Sequence, residues 1–212
     1  MYCRYKRRKF MIKNIIFDMG GVLIDYNPEK TLYGMFDKET ADLLLRVIFR
    51  NPLWSDKDRG IILPAEIMEK VRGEIPAEIF EQVSSMVDNF YPYMPPFEKM
   101  ESFVRELKEK GFGIYLLSNA SYDFHERREG IPALSMFDGV IISADHKLLK
   151  PEKEIYEKLY ETFGLNPAEC FFIDDVAANI EGAAATGMQG HCYCHGDLDI
   201  LIADMKERNI LE

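Results

Sequence analysis

Four short stretches of this chain end or begin with side chains able to hold a charged group. Asp18 follows NIIF, Ser118 and Asn119 follow IYLL, Lys150 precedes the run PEKEIYEKL, and Asp174 with Asp175 follows CFFI. Two carboxylate-bearing positions, a hydroxyl and a nearby ammonium make a site for a dianion together with a divalent metal. On this reading Asp18 and Asp174 hold Mg²⁺, whose charge lets an anionic carboxylate approach an anionic phosphate. Ser118, Asn119 and Lys150 take the remaining phosphate oxygens, and a charge-assisted bond is worth about 1.5–3 kcal/mol. Taken singly, each piece has a plainer reading. Asp18 and Ser118-Asn119 suit helix N-caps, and Lys150-Pro151 suits the opening of a helix with a solvated ammonium. The pair Asp174-Asp175 resists such a reading, because adjacent acids after an apolar run repel unless a cation or donor neutralises them.

What brings these residues together is the alternation of the elements that carry them. Apolar strand-like runs at residues 12–17, 113–117, 140–143 and 170–173, with a weaker one at 189–194, are separated by helical patterns at 97–110, 151–163 and 176–185. Strands alternating with helices predict an α/β fold with a Rossmann-like three-layer parallel sheet, and such sheets bind ligands beyond the carboxyl ends of their strands. Residues 28–96 break the alternation with helical pieces at 28–36, 41–49, 65–71 and 77–90 and no convincing strand. Asn27 ahead of Pro28, Thr40, Pro64 and Pro76 supply the start signals. The expected organisation is a Rossmann-like core at 11–27 and 97–212 with an inserted helical subdomain at 28–96, returning through the proline-rich YPYMPP at 91–96.

The chain has 212 residues and a formal net charge of −10, which disfavours nucleic acid and anionic lipid as partners. No apolar run approaches the roughly 20 residues that cross a bilayer, and the N-terminus lacks a signal-peptide pattern. A cytoplasmic protein is expected, monomeric or homodimeric, with a small phosphorylated molecule as its partner. The first ten residues, MYCRYKRRKF, hold five basic residues and no acid, and read as a basic N-terminal extension. Four cysteines, two of them one residue apart, are too few and too uneven for a disulfide framework, so reduced thiols are expected.

The stretches IIFDMGGVLID, IYLLSNAS, LLKPEKEIY and FFIDDVAANIEGA resemble the four motifs of the haloacid dehalogenase-like hydrolase superfamily. They extend from Ile12 to about Gly190. The resemblance implies a helical cap after the first motif and makes Asp18 the nucleophile of an aspartyl-phosphate pathway. It implies that Mg²⁺ is held by Asp18, the Gly20 carbonyl and Asp174, that Asp175 orients a metal-bound water, and that Ser118 and Lys150 bind the transferring phosphoryl group. Covalent catalysis by a carboxylate would split one slow displacement into two easier ones.

One departure from the family pattern is Gly20, where phosphatases usually carry a second aspartate as general acid and base. Proton transfer of this kind is worth about 10²- to 10⁴-fold. Sugar-1-phosphate phosphatases of the glucose-1-phosphate type resemble this chain in having glycine there. The reading is therefore a Mg²⁺-dependent phosphatase of a small organophosphate, sugar phosphates first. The alternatives are a metal-independent 2-haloacid dehalogenase, which the retained Asp174-Asp175 pair disfavours, and a non-catalytic phosphate- and metal-binding homologue.

Three further features were weighed. NPLWSDKDRG at 51–60 makes Trp54, Lys57 and Arg59 the candidates for sensing the substrate's leaving group from the cap. HCYCH at 191–195 looks like a zinc site, but on a strand its histidines and cysteines point to opposite faces, so a late strand is expected. His125, in YDFHERR, reads as a solvated helix residue.

Overall fold

The structure is a computed structural model and describes residues 11–212; the basic stretch 1–10, with Cys3, lies outside the described residues. Five strands, β1 (Asn14–Phe17), β2 (Gly113–Ser118), β3 (Gly139–Ile142), β4 (Cys170–Asp174) and β5 (Gln189–Cys192), form one sheet in the order β3-β2-β1-β4-β5. Every pairing is parallel. Because the side chains of a strand alternate between faces, Ile15, Phe17, Leu116 and Ile173 pack into one apolar layer while Ile16, Leu117 and Phe172 pack into the opposite one. Both faces are covered, which is why these strands are continuously apolar rather than alternating with polar residues.

Between β1 and β2 the chain runs through α1 (Pro28–Met35), α2 (Lys38–Leu44), α3 (Pro52–Asp58), α4 (Pro64–Val71), α5 (Ala77–Asp88) and α6 (Glu98–Glu109). The short α7 (Phe124–Arg127) and α8 (Ser143–His146) follow β2 and β3, then α9 (Lys153–Phe163), α10 (Ala177–Ala185) and α11 (Leu198–Glu207) complete the chain. Met100, Phe103 and Val104 of α6 and Leu201 of α11 cover one face of the sheet. Ile155 and Leu159 of α9 and Ala183 of α10 cover the other. No described helix is long and apolar enough to cross a membrane.

The helices of 28–88 start where short polar side chains satisfy free backbone donors. Asn27 Oδ1 accepts from Lys30 N at 2.9 Å with Pro28 behind it, and Asp37, rather than the expected Thr40, caps α2 by accepting from Thr40 N at 3.0 Å. The sequence reading passed over α3, although Asn51-Pro52 repeats the Asn27-Pro28 signal and Asn51 accepts from Leu53 N at 3.0 Å. It also passed over α11, capped by Asp197. The expected strand at 189–194 stops at Cys192 because the chain turns at Cys194-His195.

The outgoing and returning passages of the inserted helices are bonded to each other. Asp25 N donates to Pro95 O and Phe97 N to Leu23 O, both at 2.9 Å. The turn that precedes them needs glycine: Gly21 has φ +69°, and a Cβ there would lie 2.5 Å from Asp175 Oδ2. Gly21→Ala should therefore cost the left-handed backbone penalty of about 1–2 kcal/mol and also displace the Asp175 carboxylate. Gly164 has φ +65° with open space around it, so Gly164→Ala should show the backbone penalty alone. Thermal melts of the two variants, with Gly21→Ala lower by at least about 2–4 °C, check this.

Candidate active site

Strand register sets the site. Phe17 of β1 is paired with Leu116 of β2 and Ile173 of β4, so one residue further on Asp18 and Asp174 leave neighbouring strands side by side. Asp18 N donates to Ile173 O at 2.9 Å, holding that step in line with the sheet. Ser118 closes β2 on the opposite flank of β1. The carboxyl ends of three adjacent strands thus present a carboxylate in the middle, a hydroxyl on one side and an acidic pair on the other.

The Lys150 side chain is almost wholly buried, and its Nζ lies 2.7 Å from Asp18 Oδ1 and 2.7 Å from Asp174 Oδ2. The contact to Asp174 is a hydrogen bond, and the contact to Asp18 is an ion pair of the same length. Asp174, fully buried, also accepts from Val176 N at 2.8 Å and from Asn179 Nδ2 at 3.0 Å on each oxygen. Burial pushes the Asp18 carboxyl up to about 7, Lys150 pulls it back, and Asp174 and Asp175 push it further up. Burial likewise works against the Lys150 ammonium, but Asp18 and Asp174 outweigh it and raise its pKa above the usual lysine value. Asp175 is raised by burial and by its neighbour Asp174.

Each of Asp18, Asp174 and Asp175 offers an oxygen within 4.8 Å of the others, the one such cluster of potential metal ligands among the described residues. An all-oxygen carboxylate set suits Mg²⁺ better than zinc or copper, and three clustered carboxylates beside one ammonium leave negative charge that a cation would neutralise. The residues present therefore fit a divalent hard cation. Asp175 faces the cavity, whereas Asp174 lies beneath it, so Asp175 is as well disposed to meet a cation as to orient a water.

Above the carboxylates is a cavity of about 290 Å³. Its floor is formed by Asp18, Gly20, Ser118, Lys150 and Asp175, and its upper walls come largely from the inserted helices. Trp54 and Lys57 line it, as expected. Arg59 does not: its guanidinium turns to Glu152, with Nη1 2.9 Å from Oε2, and reaches Lys147 O at 3.2 Å. It ties α3 to the loop before α9, and the expectation of a substrate contact is corrected. Asn119, expected among the phosphate-binding residues, lines the cavity. Its Oδ1 accepts from Lys150 N at 2.8 Å and its Nδ2 donates to Lys150 O at 3.1 Å, so its side chain fixes the Lys150 loop.

Several groups were not legible beforehand as site residues. Asn179 orients Asp174, and its only sequence mark is a polar residue five positions on in an apolar stretch. Tyr26, Asp58, Ser121 and Asp123 line the cavity. Tyr26 stands over Gly20, and a Cβ on Gly20 would lie 3.2 Å from Tyr26 Cβ, so the ring fills the side on which a residue-20 side chain would project. Burial raises the Asp58 carboxyl, with Lys57 opposing. The HCYCH segment forms no cluster: His191 Nδ1 lies 2.8 Å from Asp204, and Cys192 Sγ contacts Asp175 O at 3.6 Å. His125 is exposed against Asp145, outside the cavity.

Residues 12–187 match the profile of haloacid dehalogenase-like hydrolases. A sesquiterpene phosphatase of Aspergillus oryzae is 32% identical over 185 residues, covering 84% of this chain and 88% of that protein. A D-ribitol-5-phosphate phosphatase of Bacteroides thetaiotaomicron is 24% identical over 194 residues, covering 84% and 90%. Among solved structures, a haloacid dehalogenase family enzyme from Bacteroides thetaiotaomicron in complex with magnesium and inorganic phosphate superposes with a TM-score of 0.63 at 23% identity, covering 85% of this chain and 93% of that one.

Removing the Lys150 ammonium leaves two buried carboxylates side by side. Lys150→Met should cost about 3–5 kcal/mol, and Mg²⁺ should recover more stability in the variant than in the parent, because the cation supplies the charge the lysine gave. Denaturant unfolding of both proteins with Mg²⁺ and with EDTA measures the difference.

Proposed function

The chain belongs to the haloacid dehalogenase-like hydrolases, and on that premise we propose that it is a Mg²⁺-dependent phosphatase acting on a small organophosphate through a phosphorylated Asp18. The observation that carries this reading is the buried assembly of Asp18, Asp174 and Lys150 beneath the cavity, flanked by Asp175 and Ser118. A cation held by Asp18, Asp175 or Asp174 and the Gly20 carbonyl would neutralise phosphate charge and let the Asp18 carboxylate approach phosphorus.

The Asp18 oxygen forms a bond to phosphorus as the ester bond to the leaving alcohol breaks. Lys150, fixed by Asp174 and by Asn119 through its backbone, holds Asp18 and faces the phosphoryl oxygens with Ser118. Water then attacks phosphorus of the acyl phosphate, releasing inorganic phosphate and restoring the Asp18 carboxylate. Residues 28–96 act as the cap, closing over the cavity and excluding bulk water during the first step. The phosphatases among the relatives support hydrolysis of phosphate esters over dehalogenation.

Asp18→Asn should reduce turnover of acetyl phosphate or p-nitrophenyl phosphate to background, and EDTA should do the same to the parent, with Mg²⁺ restoring the rate. Retained activity in either case would overturn the reading, and 2-haloacid turnover in EDTA would replace it with dehalogenation. Binding of Mg²⁺ and phosphate without any hydrolysis would instead identify a non-catalytic homologue.

With no carboxyl at residue 20, substrates whose leaving alcohol must be protonated gain least. Rates should fall steeply as leaving-group basicity rises. Gly20 is not in the left-handed region, so an aspartate there meets only the 3.2 Å approach to Tyr26. Gly20→Asp combined with Tyr26→Ala should flatten the dependence, raising poor-leaving-group rates by about tenfold or more. Single-turnover rates across a series of aryl and alkyl phosphates check it.

A further inference from the structure

The cavity wall opposite the phosphate floor is apolar. Ile24, Trp54, Val87, Phe90 and Met94, each at most 9% exposed, line it with Tyr26. They are braced from behind and by one another: Phe49 stacks 4.5 Å from Trp54 and 5.1 Å from Phe90, and Tyr26 meets Phe90 edge-on at 6.1 Å. A wall built from interlocking aromatics keeps its shape.

The polar groups at the cavity's side are committed to each other. Lys57 Nζ donates to Ser121 Oγ at 3.0 Å, pairs with Asp58 Oδ1 at 2.9 Å and rests over the Trp54 ring at 4.2 Å. Ser121 Oγ in turn donates to Asp123. Lys57, the one cation on that side of the cavity among the described residues, is thus neutralised before any ligand enters. A polyol placed against Ile24, Val87, Phe90 and Met94 would give up water from its hydroxyls and find no donors or acceptors on those side chains, at a cost that grows with each hydroxyl. An alkyl or alkenyl chain would gain from the same burial.

We infer that the organic part of the substrate is an apolar chain or ring, so that the site takes the monophosphate of a hydrophobic alcohol, with Val87, Phe90 and Met94 setting that preference. This rests on the phosphatase reading and departs from the sugar phosphate expected first from the sequence.

The test uses the full chain with Mg²⁺ and acetyl phosphate, which is too small to reach the wall, as the reporter substrate. Straight-chain alkyl monophosphates from ethyl to octyl are added as competitors, because leaving-group basicity barely changes along that series and the chain length alone is read. The inhibition constant should fall about fourfold per methylene until the cavity is filled, the factor expected for burying one such group. Ribitol 5-phosphate should compete at least about tenfold more weakly than pentyl phosphate. Val87→Asn should flatten the slope. A chain-length slope near zero, or tighter competition by ribitol 5-phosphate, overturns the inference while acetyl phosphate turnover leaves the phosphatase reading standing. If acetyl phosphate is not hydrolysed at all, the phosphatase reading fails, and calorimetric titration with the same series then decides the ligand class by the same slope.

Discussion

A lysine ammonium lodged between two carboxylates at the end of a parallel sheet is the constraint around which this molecule is arranged. Asp18 and Asp174 leave β1 and β4 at matching register, within a layer that excludes water. Two such charges in apolar surroundings are costly unless compensated. Lys150 supplies the compensation at 2.7 Å from each, and Asn119 and Asn179 spend their side chains holding the two ends of that arrangement. The balance is incomplete, because three clustered carboxylates face one ammonium and the remaining negative charge suits a divalent cation.

That view explains which parts of the site were legible in the sequence. A parallel sheet brings the carboxyl ends of its strands to one edge, so Asp18, Ser118 and the Asp174-Asp175 pair could be assigned to a common site from strand alternation alone. Lys150 was legible through its place in the resemblance. The commitments of individual side chains were not. Arg59 and Asn119 are the same residue types whether they touch substrate or their own backbone neighbours, and only long-range packing decides. Tyr26 over Gly20 is a contact between two residues of one tight turn whose orientation no spacing rule gives. The helix carrying Trp54 and Lys57 is short, and its Asn51-Pro52 start was obscured by the charges that follow.

The inserted helices do more than cover the sheet. Their residues share one continuous apolar core with the sheet face beneath them, and α3 is fastened to the core by Arg59 to Glu152, Lys57 to Ser121 and Ser143 Oγ donating to Asp58 O at 2.6 Å. The same contacts that fasten these helices consume their polar groups, leaving aromatic and aliphatic surface on the cavity wall. Glycine at residue 20 belongs to the same arrangement, since the volume beside it is given to the Tyr26 ring rather than to an acid.

The central claim is that Asp18 itself carries the phosphoryl group. Acid quenching of a single turnover with radiolabelled acetyl phosphate and Mg²⁺, followed by peptide mapping, tests it directly. The account predicts acid-stable, hydroxylamine-labile label on the peptide containing Asp18, absent in Asp18→Asn. Hydrolysis that proceeds with no covalent label at any quench time in a protein whose second step has been slowed by low temperature, or label mapping to another residue, would contradict it.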